Sequence, residues 1–435
     1  MTITWRRVEE VLAGLPAGST VSLRGWIWRT RSSGNIVFMT LRDVSGVIQA
    51  TVKRGNLPDA EFEAAEKALI ESSVELTGEV KEDKRAPGGF EILARSIHVV
   101  NFAEPYPITK DQSPEFLLDQ RHLWLRSRKL TAALKIRSTV VGAIHQFFRD
   151  HGFYEFDAPV LQPNQCEGGS TLFEVKYYQD KTFLSQSWQL YAEAGVFALE
   201  KIYNVGPTFR AEKSKTSRHL SEFWMAEMEA AWMDLHDITE IAKDEVRFVL
   251  GQVIEKNAAD LTVLERDIEA LRKLSTAKFP TITYTEALEV LRTKAGMEVE
   301  WGKDLRTIEE DEVMKFFETP VVVTNYPVEI MAFYKPPDPK DPKTALCFDM
   351  LAPDGYGEII GGSQRSTDIA YMSERLRQMG EKTDNYQWYF DLRRYGSVPH
   401  AGYGLGVERL VAWICHAENI KDAIPFPRTL LRFRP

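Results

Sequence analysis

The sequence predicts an α+β protein of two unlike domains, a small β-barrel followed by a larger domain that mixes strands with helices. Three observations carry that reading. Residues 20 to 100 read as short strands of period two, broken by turn residues. From Leu130 the apolar residues recur at helical spacing instead. The composition, 44% hydrophobic and 27% charged over 435 residues, is that of ordinary globular domains and excludes a disordered or coiled-coil chain.

The barrel strands come first. Thr20 to Trp28 alternates at period two, and Ser32-Ser33-Gly34-Asn35 supplies a turn before Ile36 to Leu41. Ser45-Gly46 turns the chain into Val47 to Val52, and a polar helix-like stretch runs from Pro58 to Ile70. Val74 to Val80 and Phe90 to Val100 are the last two strands, on either side of Ala86-Pro87-Gly88-Gly89. Five strands with a helix between the third and fourth is the layout of an OB-fold barrel, a platform for single-stranded nucleic acid. Residues 1–103 are assigned to it. Residues 104–120, opening on Glu104-Pro105-Tyr106-Pro107, read as a hinge, and 121–435 as the second domain.

In that second domain Ile136, Val140, Ile144 and Phe147 form one helical face, and Gly152 stands where a helix ends. Phe153 to Ala158 reads as a strand stopped by Pro159. A further helix is expected from Asp237, as an N-cap with Glu240 three residues on, through Val246, Val249 and Val253. Residues 256 to 345 are mixed, with a Pro- and Asp-rich loop at Lys335 to Pro342.

The net charge of −9 opposes indiscriminate coating of nucleic acid. A local exception runs from Arg24 to Arg54, where six basic residues face one acid, Asp43. No apolar run is long enough to span a bilayer, and the opening Met1 to Arg7 lacks the apolar core of a signal peptide. Cys166, Cys347 and Cys415 are far apart, which opposes a disulfide framework and a cysteine-built zinc site. A cytoplasmic protein with no membrane partner and no zinc is expected.

Three runs carry chemistry. Phe209-Arg210-Ala211-Glu212 and Arg218-His219-Leu220-Ser221-Glu222-Phe223 read as two strands joined by a charged loop. Such a hairpin gathers Arg210, Arg218 and His219, and guanidinium forks suit a triphosphate. Asp349 and Glu358 are hard oxygen ligands of the kind that hold Mg²⁺ against phosphates. Gly402-Tyr403-Gly404-Leu405-Gly406-Val407-Glu408-Arg409 is glycine-rich and opens an apolar helix, but the G-K-[ST] of a phosphate loop is missing.

In this order and spacing the runs resemble the signature motifs of class II aminoacyl-tRNA synthetases. The helix and strand up to Pro159 resemble motif 1, Phe209 to Glu212 motif 2, and Gly404 to Arg409 motif 3. With the barrel, the resemblance spans nearly the whole chain and narrows to the aspartyl, asparaginyl and lysyl subgroup. It implies a catalytic domain built on an antiparallel sheet flanked by helices, an anticodon-binding barrel, and a homodimer joined through motif 1. It also implies roles. Arg210 would bind the ATP α-phosphate, Glu212 the nucleotide, Phe223 the adenine, Arg218 and His219 the outer phosphates, and Arg409 the γ-phosphate. Leu220, Glu358 and Gly406 complete the ATP set. Asp349 and Glu358 would hold Mg²⁺, with Arg210, Arg409 and Glu358 as the catalytic groups. The carboxylate of the amino acid attacks phosphorus in line, so positioning and charge stabilisation suffice.

The same resemblance addresses which amino acid is activated. Aspartyl members carry Gln-Ser-Pro-Gln-x-x-Lys, whose lysine pairs with the substrate carboxylate; here the run is Gln186-Ser187-Trp188-Gln189-Leu190-Tyr191-Ala192. Ala192 removes the cation that a desolvated carboxylate requires. Glu227 can accept from an amide NH₂ and repels a carboxylate, while Arg365 can donate to the amide oxygen. Glu167 resembles the α-ammonium site, with Gln189 nearby. His122-Leu123-Trp124-Leu125-Arg126 also has the asparaginyl pattern, and Trp188 departs from it, since a small residue is usual there. Arg31, Phe38 and Gln49 match the positions that read the anticodon. The implied activity is ATP-dependent asparagine–tRNA ligation, with tRNA-Asn held at its anticodon and its acceptor end. An aspartyl enzyme of relaxed specificity is the first alternative, and Ala192 opposes it. A synthetase-derived asparagine synthetase is the second; such paralogues lack the barrel.

Overall fold

In the computed structural model residues 3–166, 171–213 and 218–435 are described. The chain divides into two compact units, Met1–Ser113 and Pro114–Pro435. In the first, strands β1 (Trp5–Arg6), β2 (Thr20–Ser33), β3 (Ile36–Arg42), β4 (Val47–Lys53), β5 (Ser73–Glu82) and β6 (Phe90–Asn101) accompany helices α1 (Val8–Leu12) and α2 (Asp59–Lys67). The five long strands pair in the order β2-β3-β4-β6-β5, and β5 returns to β2, so the sheet is closed. Period two explains the closure. On β3, Val37, Met39 and Leu41 are at most 2% exposed, while Ile36, Phe38 and Thr40 alternate outward and are only half-buried. The one unanticipated strand is β1, two residues pairing in parallel with Ser22 and Leu23.

The second unit opens with helices α3 (Pro114–Asp119), α4 (Arg121–Trp124) and α5 (Arg128–Asp150). Helix α3 lies inside the span that reads as hinge from sequence. Ile136, Val140, Ile144 and Phe147 make the buried stripe of α5, and Gly152 follows with φ of 78°, as a left-handed helix end requires. The strand expected at Phe153 to Ala158 shrinks to β7 (Tyr154–Glu155), which pairs in parallel with β11 (Lys201–Phe209). Between them a small sheet forms from β8 (Leu161–Gln162), β9 (Glu174–Tyr177) and β10 (Asp180–Leu184), followed by helix α6 (Gln189–Leu199).

Strand β12 (Glu222–Ala231) follows β11, and α7 (Leu235–Lys256) follows β12. Asp234, not Asp237, caps α7; Asp237 closes the capping box from the third helical position. The less legible region resolves into α8 (Ala258–Val263), α9 (Ile268–Thr276), β13 (Thr281–Thr283), α10 (Tyr284–Val290), α11 (Thr307–Met314) and β14 (Val321–Thr324). The chain ends with β15 (Cys347–Ala352), β16 (Gly357–Gln364), α12 (Ile369–Gln378), α13 (Gln387–Arg394), β17 (His400–Gly406) and α14 (Val407–Cys415).

The large sheet runs β13-β14-β15-β16-β17-β12-β11-β7. Six of its strands are antiparallel, and each edge adds one short parallel strand. One face is the core: Ala226, Met228 and Ala230 of β12 and Tyr403 and Leu405 of β17 pack with apolar residues of α5, α7, α9 and α14. The alternate residues, Met225, Glu227 and Glu229 on β12 and Gly402 and Gly404 on β17, therefore occupy the opposite face. That face carries the site.

Candidate active site

Strands β11 and β12 pair without a bulge from Lys201↔Ala230 to Phe209↔Glu222, which brings Arg210 back beside Ser221. Arg210, Glu212, Arg218, His219 and Leu220, from the described ends of the connection between them, face β16 and the start of α14. A cleft of ≈ 580 Å³ opens there. All nine residues that sequence reading assigns to ATP line it: Arg210, Glu212, Arg218, His219, Leu220, Phe223, Glu358, Gly406 and Arg409.

The electrostatics of this cleft are those of an anion site with an acidic border. The Arg210 guanidinium lies 5.4 Å from the Phe223 ring centre. Arg409 donates from Nη1 to the Glu358 carbonyl at 2.5 Å and approaches Glu358 Oε2 at 3.3 Å. Arg218 donates to both oxygens of Asp311, at 2.9 and 2.8 Å. His219 stands 3.5 Å from Glu212. Burial, and next the cation of Arg409, push the His219 imidazole below its usual range. Leu220 packs with Ile420 and Ile424 to form an apolar base under Phe223.

Asp349 and Glu358 lie on adjacent strands, β15 and β16. They converge over Gly361, where an added Cβ would stand 2.8 Å from Glu358 Oε1 and 3.3 Å from Asp349 Oδ1. The glycine is what lets both oxygens approach the same spot. Burial, then the charge of Glu358, raises the Asp349 carboxyl well above its ordinary range. Two hard oxygen donors whose charges oppose one another fit a divalent cation. Among the described residues no group of three or more His, Cys, Asp or Glu side chains that could hold a metal forms. Glu310 on α11, which the sequence does not single out, adds acidity nearby. Burial and then Glu358 lift its carboxyl to about 7.

The expected amino acid pocket lies farther along the same face. Glu227 accepts from Ser187 Oγ at 2.6 Å and from the Trp188 amide at 3.0 Å. Arg365 is buried and pairs with Glu229, donating from Nε at 3.0 and 3.2 Å and again from Nη2, while Nη1 donates to Ser363 Oγ at 2.7 Å. Burial disfavours the Arg365 charge, but the Glu229 carboxylate more than restores it. Gly402 makes room for that pair, since a Cβ there would fall 2.4 Å from the Glu229 carboxyl. The glycines of this run thus clear space on a strand and do not form a phosphate loop.

Gln189 donates from Nε2 to Glu193 at 3.1 Å. Glu167 falls outside the described residues, but its flanks are strapped: Gln186 accepts from the Cys166 amide at 3.1 Å and donates to Thr171 Oγ1 at 2.6 Å. Ala192 is fully buried with Trp188, Val196, Ile202 and Ala231, an apolar setting. Trp188 fills that cluster and ties it to motif 1 by donating from Nε1 to the Phe156 carbonyl at 2.7 Å.

Glu229, Glu193, Asp311 and Glu408 are further groups that sequence reading does not reach. Glu408 accepts from Arg137 at 2.6 Å and from the Trp224 amide at 2.8 Å, which fixes motif 3 against both α5 and β12. In the barrel, Arg31 and Phe38 are cross-strand partners, with the guanidinium 5.2 Å from the ring centre. Gln49 donates to Glu91 at 3.0 Å. Burial opposes ionisation of Glu91, yet hydrogen bonds from Thr51, Gln49 and Lys81 hold it below its usual range.

The matching families agree with this two-part geometry. Class II tRNA synthetases (D, K and N) match residues 113–430, and an OB-fold nucleic acid binding domain matches residues 21–100. The asparagine–tRNA ligase of Thermoplasma acidophilum is 45% identical over 98% of this chain and 99% of its own. That of Symbiobacterium thermophilum is 48% identical over 96% and 97%. Among solved structures, the asparaginyl-tRNA synthetase of Pyrococcus horikoshii complexed with asparaginyl-adenylate gives a TM-score of 0.92 at 44% identity, over 96% of this chain and 97% of that one.

Proposed function

The chain belongs to the class II tRNA synthetases of the D, K and N type, and we propose that it is the member that activates L-asparagine with ATP, releasing pyrophosphate, and transfers it to the 3′ end of tRNA-Asn. The observation that carries this reading is the near-complete likeness, at a TM-score of 0.92, to a synthetase solved with asparaginyl-adenylate. The pocket chemistry supports it. Arg365, a cation of the expected amino acid pocket, is already paired with Glu229, and Glu227 lies on the same strand face as Glu229. Such a site offers hydrogen bonds without net positive charge, which suits a carboxamide and disfavours a carboxylate.

In the adenylation step Arg210 takes the charge that develops on the α-phosphate, and Arg409 holds the γ-phosphate in line with the leaving direction. Phe223 stacks on adenine, and Arg218, His219, Glu212, Leu220 and Gly406 complete the nucleotide site. Glu227 accepts from the side-chain amide while Arg365 donates to its oxygen. Glu167 and Gln189 hold the α-ammonium. Asp349 and Glu358 would hold Mg²⁺, which supplies charge neutralisation against the phosphates. Fixed charges, set before the substrate arrives, lower the barrier without a protein nucleophile.

The barrel serves the tRNA. Arg31, Phe38 and Gln49 read the anticodon, with Phe38 as the stacking surface. Motif 1 joins two copies of the chain in a homodimer, and the exposed Tyr154, Val160 and Leu161 at that element are the apolar surface such an interface covers. The protein works in the cytoplasm and takes no membrane partner, a setting that suits three free cysteines; no helix among the described residues is long and apolar enough to cross a membrane.

Pyrophosphate exchange into ATP tests the adenylation half. It should depend on both asparagine and Mg²⁺. Exchange with aspartate at a rate near that with asparagine would refute the specificity.

A further inference from the structure

Helix α6 carries two polar residues one turn apart, Gln189 and Glu193, and both are buried. Glu193 is 0% exposed. Its Oε1 accepts from Gln189 Nε2 at 3.1 Å and from the Tyr389 hydroxyl at 2.7 Å. Its Oε2 lies 2.9 Å from His400 Nε2 and accepts from Arg393 Nη2. Four groups, brought from α6, α13 and β17, therefore converge on one carboxylate. Burial opposes its ionisation, but Arg393 and then His400 hold it well below the usual carboxylate range.

An ionised carboxylate only accepts hydrogen bonds. The Gln189 amide must then turn its NH₂ toward Glu193, and its carbonyl Oε1 becomes the face it offers to anything else. The same helical turn is linked to the substrate face, because the Gln189 backbone N–H donates to Ser187 Oγ at 3.1 Å while that hydroxyl donates to Glu227 at 2.6 Å.

We propose that Glu193 is a positioning residue for amino acid binding: it locks the Gln189 side-chain amide so that Oε1 accepts a hydrogen bond from the α-ammonium of the bound amino acid. This rests on the function proposed above. Without a purely accepting neighbour the amide can turn over and present its NH₂ to the ammonium, where donor meets donor. Glu193 thus acts on the amino end of the substrate and leaves the carboxamide end alone.

The test compares two ligands in the full-length protein. Asparagine carries the α-ammonium; succinamate, the same skeleton without the amino group, does not. Glu193→Gln keeps the volume but lets the neighbour donate. The asparagine KM in pyrophosphate exchange should rise tenfold or more, kcat at saturation should change less than about threefold, and the inhibition constant of succinamate should stay within twofold. Because Glu193→Gln leaves Arg393 without its counter-ion in the interior, a second variant, Glu193→Gln with Arg393→Met, restores charge balance and should show the same split. An unchanged asparagine KM in either folded variant overturns the proposal. So does a succinamate constant that rises in step with the asparagine KM, since that marks a general loosening of the pocket. A wild-type protein that fails to exchange with asparagine refutes the proposed function itself, a separate outcome.

Discussion

Replacing Phe38 with alanine separates recognition from folding in the barrel. Phe38 sits on the outer face of β3 between Val37 and Met39, both buried in the barrel core. Its ring lies under Arg31 at 5.2 Å, a half-exposed cation–π contact of about 0.5–1 kcal/mol. Truncation should therefore cost the barrel only about 1 kcal/mol. Met39→Ala, at the next residue and on the buried face of β3, where Met39 is 2% exposed, should cost roughly 2–5 kcal/mol by leaving a cavity. If Phe38 stacks on an anticodon base, its loss removes roughly 1–3 kcal/mol of tRNA binding, or about 5- to 140-fold in affinity. The assays are tRNA binding by filter retention, pyrophosphate exchange, and thermal melting. Phe38→Ala should weaken tRNA binding and charging, leave exchange unchanged, and melt close to wild type. Unchanged tRNA affinity, or an early melt like that of Met39→Ala, would refute the assignment of Phe38 to recognition.

Three further outcomes follow from the catalytic unit. Arg210→Ala and Arg409→Ala should each abolish exchange while leaving circular dichroism and melting intact; most of the activity surviving in either would refute that arginine's role. Glu245 is fully buried on α7 and, among the described residues, accepts only from the Tyr403 hydroxyl, at 2.7 Å, so burial raises its carboxyl from an ordinary 4.5 to about 8. Between those values the unfolded chain ionises and the folded one does not, so stability is intact below about pH 4.5 and falls on the order of 4 kcal/mol by pH 8. Glu245→Gln removes that titration, and its melting temperature relative to wild type should climb from pH 5 to pH 8; parallel curves would contradict the buried neutral carboxyl. Sedimentation should give a dimer at micromolar concentration, and an active monomer would contradict the interface placed at motif 1.

What the sequence reveals and what it hides divide along contact range. The barrel is legible because period-two alternation and turn residues are local signals, and each strand of β2 to β6 carries its own. The nucleotide cleft is legible for a related reason: Arg210 and Phe223 flank one hairpin, so adjacency in sequence becomes adjacency in space. Glu193 is hidden because its partners, Arg393 and His400, lie about 200 residues away on other elements. Spacing still offered a hint, since Glu193 follows Gln189 by one helical turn. Glu229 was within reach by the same logic, two residues after Glu227 and so on the same face of β12. Asp311 and Glu310 have no such signal; they fall in the stretch that reads only as mixed structure, and the fold lays α11 against Arg218 and Gly357. The sequence puts the start of α7 at Asp237 and the fold puts it at Asp234, because each can cap and only the geometry distinguishes cap from capping-box partner.

Charging of tRNA tests the central claim most directly. Transcripts carrying the asparagine or the aspartate anticodon would be incubated with the purified full-length protein, ATP, Mg²⁺ and either radiolabelled amino acid, and acid-precipitable label followed with time. Asparagine should be attached to the tRNA with the asparagine anticodon, at least a hundredfold faster than aspartate to either tRNA. Aspartate attached to tRNA at a comparable rate, or no asparagine attached at all, would contradict the account.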